Sequence, residues 1–154
     1  MEKSQIKKII ISIVAIILVA GLGSVFVRIG MDWFNALRKP VQWVPNIVIP
    51  IVWTVVYLAF AVINFFWFKN EDVPTSTIIL MLINGVLNVL WCLTFFTLKL
   101  LFLGNIVILL NLIAGFVLIV NIFEYKKLFG YILSIYPVWL SIATTLNLAL
   151  WILN

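Results

Sequence analysis

Long runs without charged side chains are the feature that most constrains this chain. Hydrophobic residues make up 66% of its 154 residues and charged residues only 10%, whereas a soluble domain has about 45–50% apolar and about 25% charged residues. The composition therefore excludes a water-soluble globular protein. Because about 20 apolar residues cross a bilayer as a helix, a chain of this length has room for no more than about six spans.

The charges divide the sequence into five such runs. We predict membrane-spanning helices over residues 9–27, 47–68, 77–98, 101–123 and 128–152. Backbone groups in hydrocarbon must bond within their own segment, and the runs lack the short alternating segments of a membrane barrel. The sequence therefore predicts an all-α membrane protein, a five-helix transmembrane bundle that forms a single transmembrane domain over residues 1–154.

The first run resembles a secretory signal, with lysines before it and small residues near its end. It continues through Val27, which makes it long enough to cross the bilayer, so we expect an uncleaved helix. Between Arg28 and Pro45, where two prolines and several charges interrupt the apolar pattern, we expect an irregular connection.

Basic residues favour one orientation of the bundle. One side carries Lys3, Lys7, Lys8, Lys69, Lys126 and Lys127, and the other carries Arg28, Arg38, Lys39 and Lys99. The larger group indicates a cytoplasmic N-terminus. The abundance of isoleucine, asparagine and lysine suggests a bacterial gene, so we expect an integral protein of a bacterial plasma membrane.

Several function classes are excluded by missing residues. The chain has no histidine, five acidic residues and one cysteine, Cys92, so we predict no catalytic residue, no metal site and no cofactor. The interiors of the second to fifth runs contain no ionisable side chain, which argues against a proton-coupled or ion-driven transporter. The basic clusters are typical of signals that set membrane topology and of contacts with anionic lipids. We therefore predict no nucleic-acid partner.

Aromatic and asparagine side chains recur at helical spacing. Residues three or four positions apart share one face of a helix, and such stripes contain Trp53 and Tyr57, then Asn84, Asn88 and Trp91, then Trp139, Ala143 and Leu146. On spacing alone the stripes fit either an aromatic-walled pocket or a tightly packed core. Asn88 is a candidate acceptor for the Trp91 indole or for a ligand. We expect Gly104, Asn111, Gly115 and Asn121 to serve helix packing.

Ordered motifs in different helices resemble those of the translocator protein, or tryptophan-rich sensory protein, family (TspO/MBR). The matching segments are WFNALRKP from Trp33 to Pro40, then Pro45, VWTVVY from Val52 to Tyr57, NVLWCLTFF from Asn88 to Phe96, and WLSIATTLN from Trp139 to Asn147. The resemblance covers about Gly21 to Asn154, nearly the whole chain.

The resemblance implies a five-helix bundle that binds porphyrins of the protoporphyrin IX type and other hydrophobic heterocyclic ligands. The implied ligand-binding residues are Trp53, Tyr57, Asn84, Asn88, Trp91, Trp139, Ala143 and Leu146, with Trp33 and Pro40 in a loop that lids the pocket. Since the chain lacks histidine, axial histidine ligation of haem iron is impossible, which favours metal-free porphyrins. The expected partners are thus a hydrophobic small molecule and the lipid bilayer.

Departures from the family pattern concern the range of ligands. Ile135 occupies the usual proline position before the last-span tryptophan, and Ile47 replaces a tryptophan in the first loop. The sterol motif of animal members needs tyrosine and arginine where this chain has Leu148 and Ile152. Cholesterol binding through that motif is not supported.

Three functions follow. The first is a porphyrin-binding sensor, scavenger or carrier. The second is a light-dependent porphyrin-degrading enzyme, although the sequence offers no general base, metal site or nucleotide motif. The third is a structural or interaction protein, with a homodimer or a larger complex formed through a face of Gly104, Asn111 and Gly115.

Overall fold

The computed structural model describes residues 2–41 and 44–154, and nearly all of them are helical. The helices are α1 (Lys3–Ala36), α2 (Val48–Asn70), α3 (Thr75–Cys92), α4 (Leu101–Tyr125), α5 (Lys127–Leu133) and α6 (Ile135–Leu153). A π-helical turn, Leu93–Thr97, continues α3. Five segments are long and apolar enough to span a membrane, with α5 and α6 forming the fifth. The all-α, five-helix prediction is confirmed.

Helix α1 is longer than the first apolar run. Its 34 residues span about 51 Å at 1.5 Å per residue, against about 30 Å for a hydrocarbon core. The prediction of an irregular connection that begins at Arg28 is therefore wrong for residues 28–36, which are helical. Arg28 and Asp32 end the apolar pattern but not the helix, because no proline occurs before Pro40. Within that connection, Gln42 and Trp43 lie outside the described residues.

The fifth span is interrupted where a continuous run was predicted. Ser134 separates α5 from α6, and its hydroxyl donates to the Gly130 carbonyl at 2.7 Å. The interruption follows from Pro137, which has no N–H to donate to the carbonyl of Leu133 four residues earlier. The Tyr136 and Trp139 side chains, which follow the break, are both buried.

The spans form a closed ring in the order α1, α2, α5–α6, α4, α3, with α3 returning to α1. Helices α3 and α6 both pack extensively on α4, whereas α2 and α6 touch only sparsely. We call the end that carries residues 37–41 and 44–47 the loop end. The opposite end, which carries the α2–α3 connection at residues 71–74, is the turn end. The sparse α2–α6 contact leaves space near the loop end of the ring.

Small and polar residues of α4 face the inside of this ring. Asn111 is fully buried and accepts a hydrogen bond from the Tyr136 hydroxyl at 3.0 Å. A Cβ on Gly104 would lie 2.9 Å from the Phe95 ring, and one on Gly115 would lie 3.2 Å from Leu140. The expectation that Gly104, Asn111 and Gly115 serve helix packing is therefore confirmed. The alternative, a docking surface on this face, is wrong because the chain's own helices cover all three.

Candidate functional site

An aromatic wall lies between α2, α3 and α6 towards the loop end. The Trp53 ring stacks on Tyr57, with centroids 5.7 Å apart and planes inclined by 27°. It also lies 6.0 Å from Trp91 of α3 and 6.4 Å from Tyr136 of α6. The stripes predicted on α2 and α3 thus meet in one continuous set of rings, which Tyr136 of α6 joins. Such offset or edge contacts add to the stability gained by burial.

The wall borders a small cavity of about 60 Å³, which we call the loop chamber. Six residues of the predicted site and lid line it, namely Pro40, Trp53, Trp91, Trp139, Ala143 and Leu146. Residues from the connection after α1 cover it, so the chamber lies directly beneath the loop. Pro40 has the position that was predicted for a lid residue, whereas Trp33 lies on α1 and packs edge-on against Phe95 at 5.9 Å.

Hydrogen-bond donors dominate the polar character of the chamber. The indole nitrogens of Trp91 and Trp139 and the amide nitrogen of Asn147 are buried, and none has a hydrogen-bond partner among the described residues. All three residues line the chamber. A buried donor without a partner costs about 1–3 kcal/mol, so the chamber favours any apolar molecule that brings acceptors to these groups.

Lys39 adds a positive charge at the chamber. It lines the cavity, and its ammonium lies 4.6 Å from the centre of the Phe34 ring, which suits a cation–π interaction. Neither Lys39 nor Asn147 is among the ligand-binding residues that the resemblance implies. The spacing does place Asn147 on the α6 stripe, because Trp139, Ala143 and Asn147 recur every four residues along one face of that helix.

Comparison with known proteins assigns the chain to a family. The model of the TspO/MBR family matches residues 11–152. The chain belongs to the TspO/MBR family. It is 30% identical to the tryptophan-rich protein TspO of Archaeoglobus fulgidus, over 97% of this chain and 99% of that protein.

Two further relatives extend the comparison. A tryptophan-rich protein TspO of Bacillus cereus is 30% identical, over 93% of this chain and 96% of its own length. Protein CrtK of Rhodobacter capsulatus is 28% identical, over 79% of this chain and 78% of its own length. Likeness along nearly the whole chain identifies this protein as a TspO/MBR membrane protein.

The remaining predicted ligand residues of this TspO/MBR protein lie on a different cavity. Tyr57, Asn84 and Asn88 line a space of about 410 Å³ between α1, α2 and α3, which we call the lateral cavity. The Tyr57 hydroxyl donates to the Asn88 amide oxygen at 3.1 Å. Since Trp53 stacks on Tyr57, this hydrogen-bonded pair separates the two cavities. Asn88 therefore serves as acceptor to Tyr57, and the Trp91 indole is left without that partner.

Asn84 joins two helices instead of facing the chamber. Its amide nitrogen donates to the carbonyl of Leu80 at 2.8 Å and to that of Ala114 on α4 at 3.1 Å. Its amide oxygen lies 3.6 Å from where a Cβ on Gly115 would be. The eight residues predicted as one ligand site are thus divided, with five at the loop chamber and three at the lateral cavity.

Proposed function

We propose that this TspO/MBR protein binds porphyrins of the protoporphyrin IX type, and similar flat apolar heterocycles with hydrogen-bond acceptors, in the loop chamber. Binding of this kind would serve a sensor, scavenger or carrier. The observation that carries the proposal is the aromatic wall with three buried donors that lack partners among the described residues. Indole faces supply rigid stacking area for a planar ring, and N–H donors suit carboxylate or carbonyl oxygens.

Charge supports the same class of ligand. Lys39 lines the chamber, and the acidic side chains Glu71 and Asp72 lie at the opposite, turn end. A porphyrin carries propionate groups at one edge, and an ammonium group pairs well with carboxylate. We place the carboxylates of the ligand towards Lys39 and its ring between Trp53 and Trp139.

The chamber must enlarge to take a whole porphyrin. Its volume of about 60 Å³ is well below the roughly 300–1,000 Å³ of ordinary ligand sites. The sparse contact between α2 and α6 leaves room for this change, and Pro40 in the covering connection would have to move outward. Tyr57 and Asn88 would then form the floor of the enlarged site.

Exchanging one indole for a phenyl ring tests the proposal. In Trp139→Phe the ring remains but the N–H is removed, so we expect protoporphyrin IX to bind roughly tenfold more weakly. The shift of the porphyrin Soret band during titration of the purified protein measures the affinity, independently of tryptophan emission.

Trp151→Phe is the matched control for this titration. Trp151 packs against Phe102 at 5.4 Å and is 42% exposed, and it lines neither cavity. We expect it to bind porphyrin like the unmodified protein. Equal affinities of the two variants would refute the assignment of the chamber, and no porphyrin binding by the unmodified protein would refute the proposed function.

Asn154 holds the connection over the chamber in place. Its amide oxygen accepts from the Arg38 N–H at 2.9 Å, and its amide nitrogen donates to the Arg38 carbonyl at 3.0 Å. If the connection must move for ligand entry, Asn154→Ala should speed protoporphyrin IX association by about twofold to tenfold, because the two bonds stabilise the closed arrangement. Stopped-flow mixing measures this rate. An association rate equal to that of the unmodified protein would show that the pairing does not limit entry.

A further inference from the structure

The lateral cavity is several times larger than the loop chamber. Its volume of about 410 Å³ falls within the range of small-molecule sites. Along α1 its lining extends from Lys8 to Val19, which corresponds to about 16 Å at 1.5 Å per residue. The cavity is therefore long enough for an extended chain, and the Tyr57–Asn88 pair separates it from the loop chamber.

Contacts between helices close the cavity at both ends. Towards the loop end α1 and α3 approach closely, since a Cβ on Gly85 would lie 3.1 Å from the Val19 side chain. At the turn end Lys8 forms an ion pair with Asp72, and the Gln5 amide donates to the Lys69 carbonyl at 3.1 Å. Between these contacts α1 lies apart from α3, which leaves the cavity as a defined space.

The mouth of the cavity faces sideways from the bundle. Ile11 of α1 and Leu82 and Val86 of α3 line the cavity, and they are 58%, 57% and 59% exposed. These residues belong to membrane-spanning helices, so the surface on which they lie contacts lipid chains. An occupant would enter from the bilayer.

Two buried acceptors in this lining lack a donor within residues 2–41 and 44–154, namely the amide oxygens of Asn64 and Asn84. The Asn84 oxygen lies towards α4, 3.6 Å from where a Cβ on Gly115 would be, whereas Asn64 lies on α2 and is 5% exposed. Among the hydroxyl groups of the lining, Ser12 donates to the Ile9 carbonyl at 3.0 Å and Tyr57 to the Asn88 amide oxygen. The hydrocarbon layer holds no water that could donate to the Asn64 oxygen. A hydroxyl group of a ligand beside Asn64 would supply the donor that this oxygen lacks.

Charge at the rim restricts the head group of the occupant. Lys8 is the charged residue among those that line the cavity, and its ammonium is paired with Asp72. The rim therefore has no uncompensated charge to attract an anion. We propose that the lateral cavity binds a neutral single-chain amphiphile from the bilayer, whose hydroxyl group donates to the Asn64 amide oxygen and whose chain lies along α1.

Two ligands that differ in one hydrogen-bond donor test the inference. We expect 1-dodecanol to bind about fivefold to tenfold more tightly than its methyl ether, which has the same chain but no donor. Native mass spectrometry of the purified protein measures both affinities. In Asn64→Leu, which keeps the size of the side chain and removes the acceptor, the ratio should fall to about one while ether binding is unchanged.

Filling the cavity provides a second test that does not depend on Asn64. Ala15 lines the cavity, and Ala15→Phe should weaken both ligands at least about tenfold by occupying the space. Leu18→Phe is the control, because Leu18 lies on the same helix, is 57% exposed and does not line the cavity. It should leave both affinities unchanged.

Two results would overturn the inference. One is equal affinity of the alcohol and the ether for the unmodified protein, and the other is undiminished binding by Ala15→Phe. Protoporphyrin IX titration of the same variants keeps this inference separate from the proposed function. Alcohol binding without porphyrin binding would refute only the porphyrin proposal, and the reverse result would refute only the lateral site.

Discussion

Replacing Gly30 with alanine is expected to destabilise the protein by about 3 kcal/mol, the largest effect on stability that we predict. Gly30 is buried on α1, and a Cβ added there would collide with the backbone carbonyl of Phe96. A backbone atom cannot rotate away as the end of a side chain can. The helix must instead move away from the π-helical turn, losing the packing around it.

The neighbouring contacts explain why this position does not tolerate an added Cβ. Phe96 belongs to the turn Leu93–Thr97, and the Thr97 hydroxyl donates to the Phe26 carbonyl of α1 at 3.0 Å. The Phe34 ring also packs on Phe96, with centroids 5.3 Å apart. Displacing α1 at Gly30 would disturb the hydrogen bond one turn before it and the ring contact one turn after it.

Gly21 provides the matched control on the same helix. A Cβ at Gly21 would meet nothing within 4 Å, and alanine favours a helix over glycine by up to about 1 kcal/mol. Gly21→Ala should therefore leave stability unchanged or raise it slightly. Thermal unfolding in detergent, followed by circular dichroism, measures both variants. Similar midpoints for Gly30→Ala and Gly21→Ala would contradict the close approach of α1 to the π-helical turn.

Ala143→Leu is expected to weaken protoporphyrin IX binding by about 100-fold, the largest effect on ligand affinity that we predict. Ala143 is buried on α6 and lines the loop chamber. A leucine adds three carbons to that wall, in a cavity of only about 60 Å³. The added group fills space that the chamber needs in order to enlarge. It also displaces the planar ring of the ligand from Trp139 on the preceding turn.

Fold and binding must be separated in this experiment. Because the added carbons enter existing space, we expect Ala143→Leu to retain its helicity and most of its thermal stability. Leu148→Phe is the control on the same helix, since Leu148 is 44% exposed and lines neither cavity. A folded Ala143→Leu protein that binds porphyrin as tightly as Leu148→Phe would rule out the loop chamber as the porphyrin site.

The candidate site could be predicted in part because its residues repeat along single helices. Trp139 and Ala143 share a face of α6 whatever that helix contacts, and Trp53 and Tyr57 share a face of α2. The spacing could not indicate how deep in the bundle each side chain lies, or which cavity it lines. Tyr57 and Asn88 meet each other at the boundary between two cavities, so residues predicted to form one wall line two spaces.

Trp33 shows where a local motif misleads, and the α4 face shows where a local pattern leaves two contact partners open. Trp33 belongs to a motif that ends in a proline, which suggested a loop, but α1 continues to Ala36 and places the ring against Phe95. Gly104 and Gly115 recur on a small-residue face that fits contact with another chain or with a helix of the same chain. The ring of helices directs this face towards α3 and α6.

Sequence alone determined that this protein lies in a membrane and crosses it with five helices, because the hydropathy and the length of each apolar run are properties of one short stretch of sequence. The motifs also placed it in its family, which the comparisons confirm. Tertiary structure decided which faces meet. It left the donors of Trp91 and Trp139 without partners in the described part of the chain, brought α1 against the turn at Phe96, and opened a lateral cavity beside Asn64. Helical periodicity gives the direction of a side chain around its own axis, whereas its partner depends on the position and tilt of every neighbouring helix.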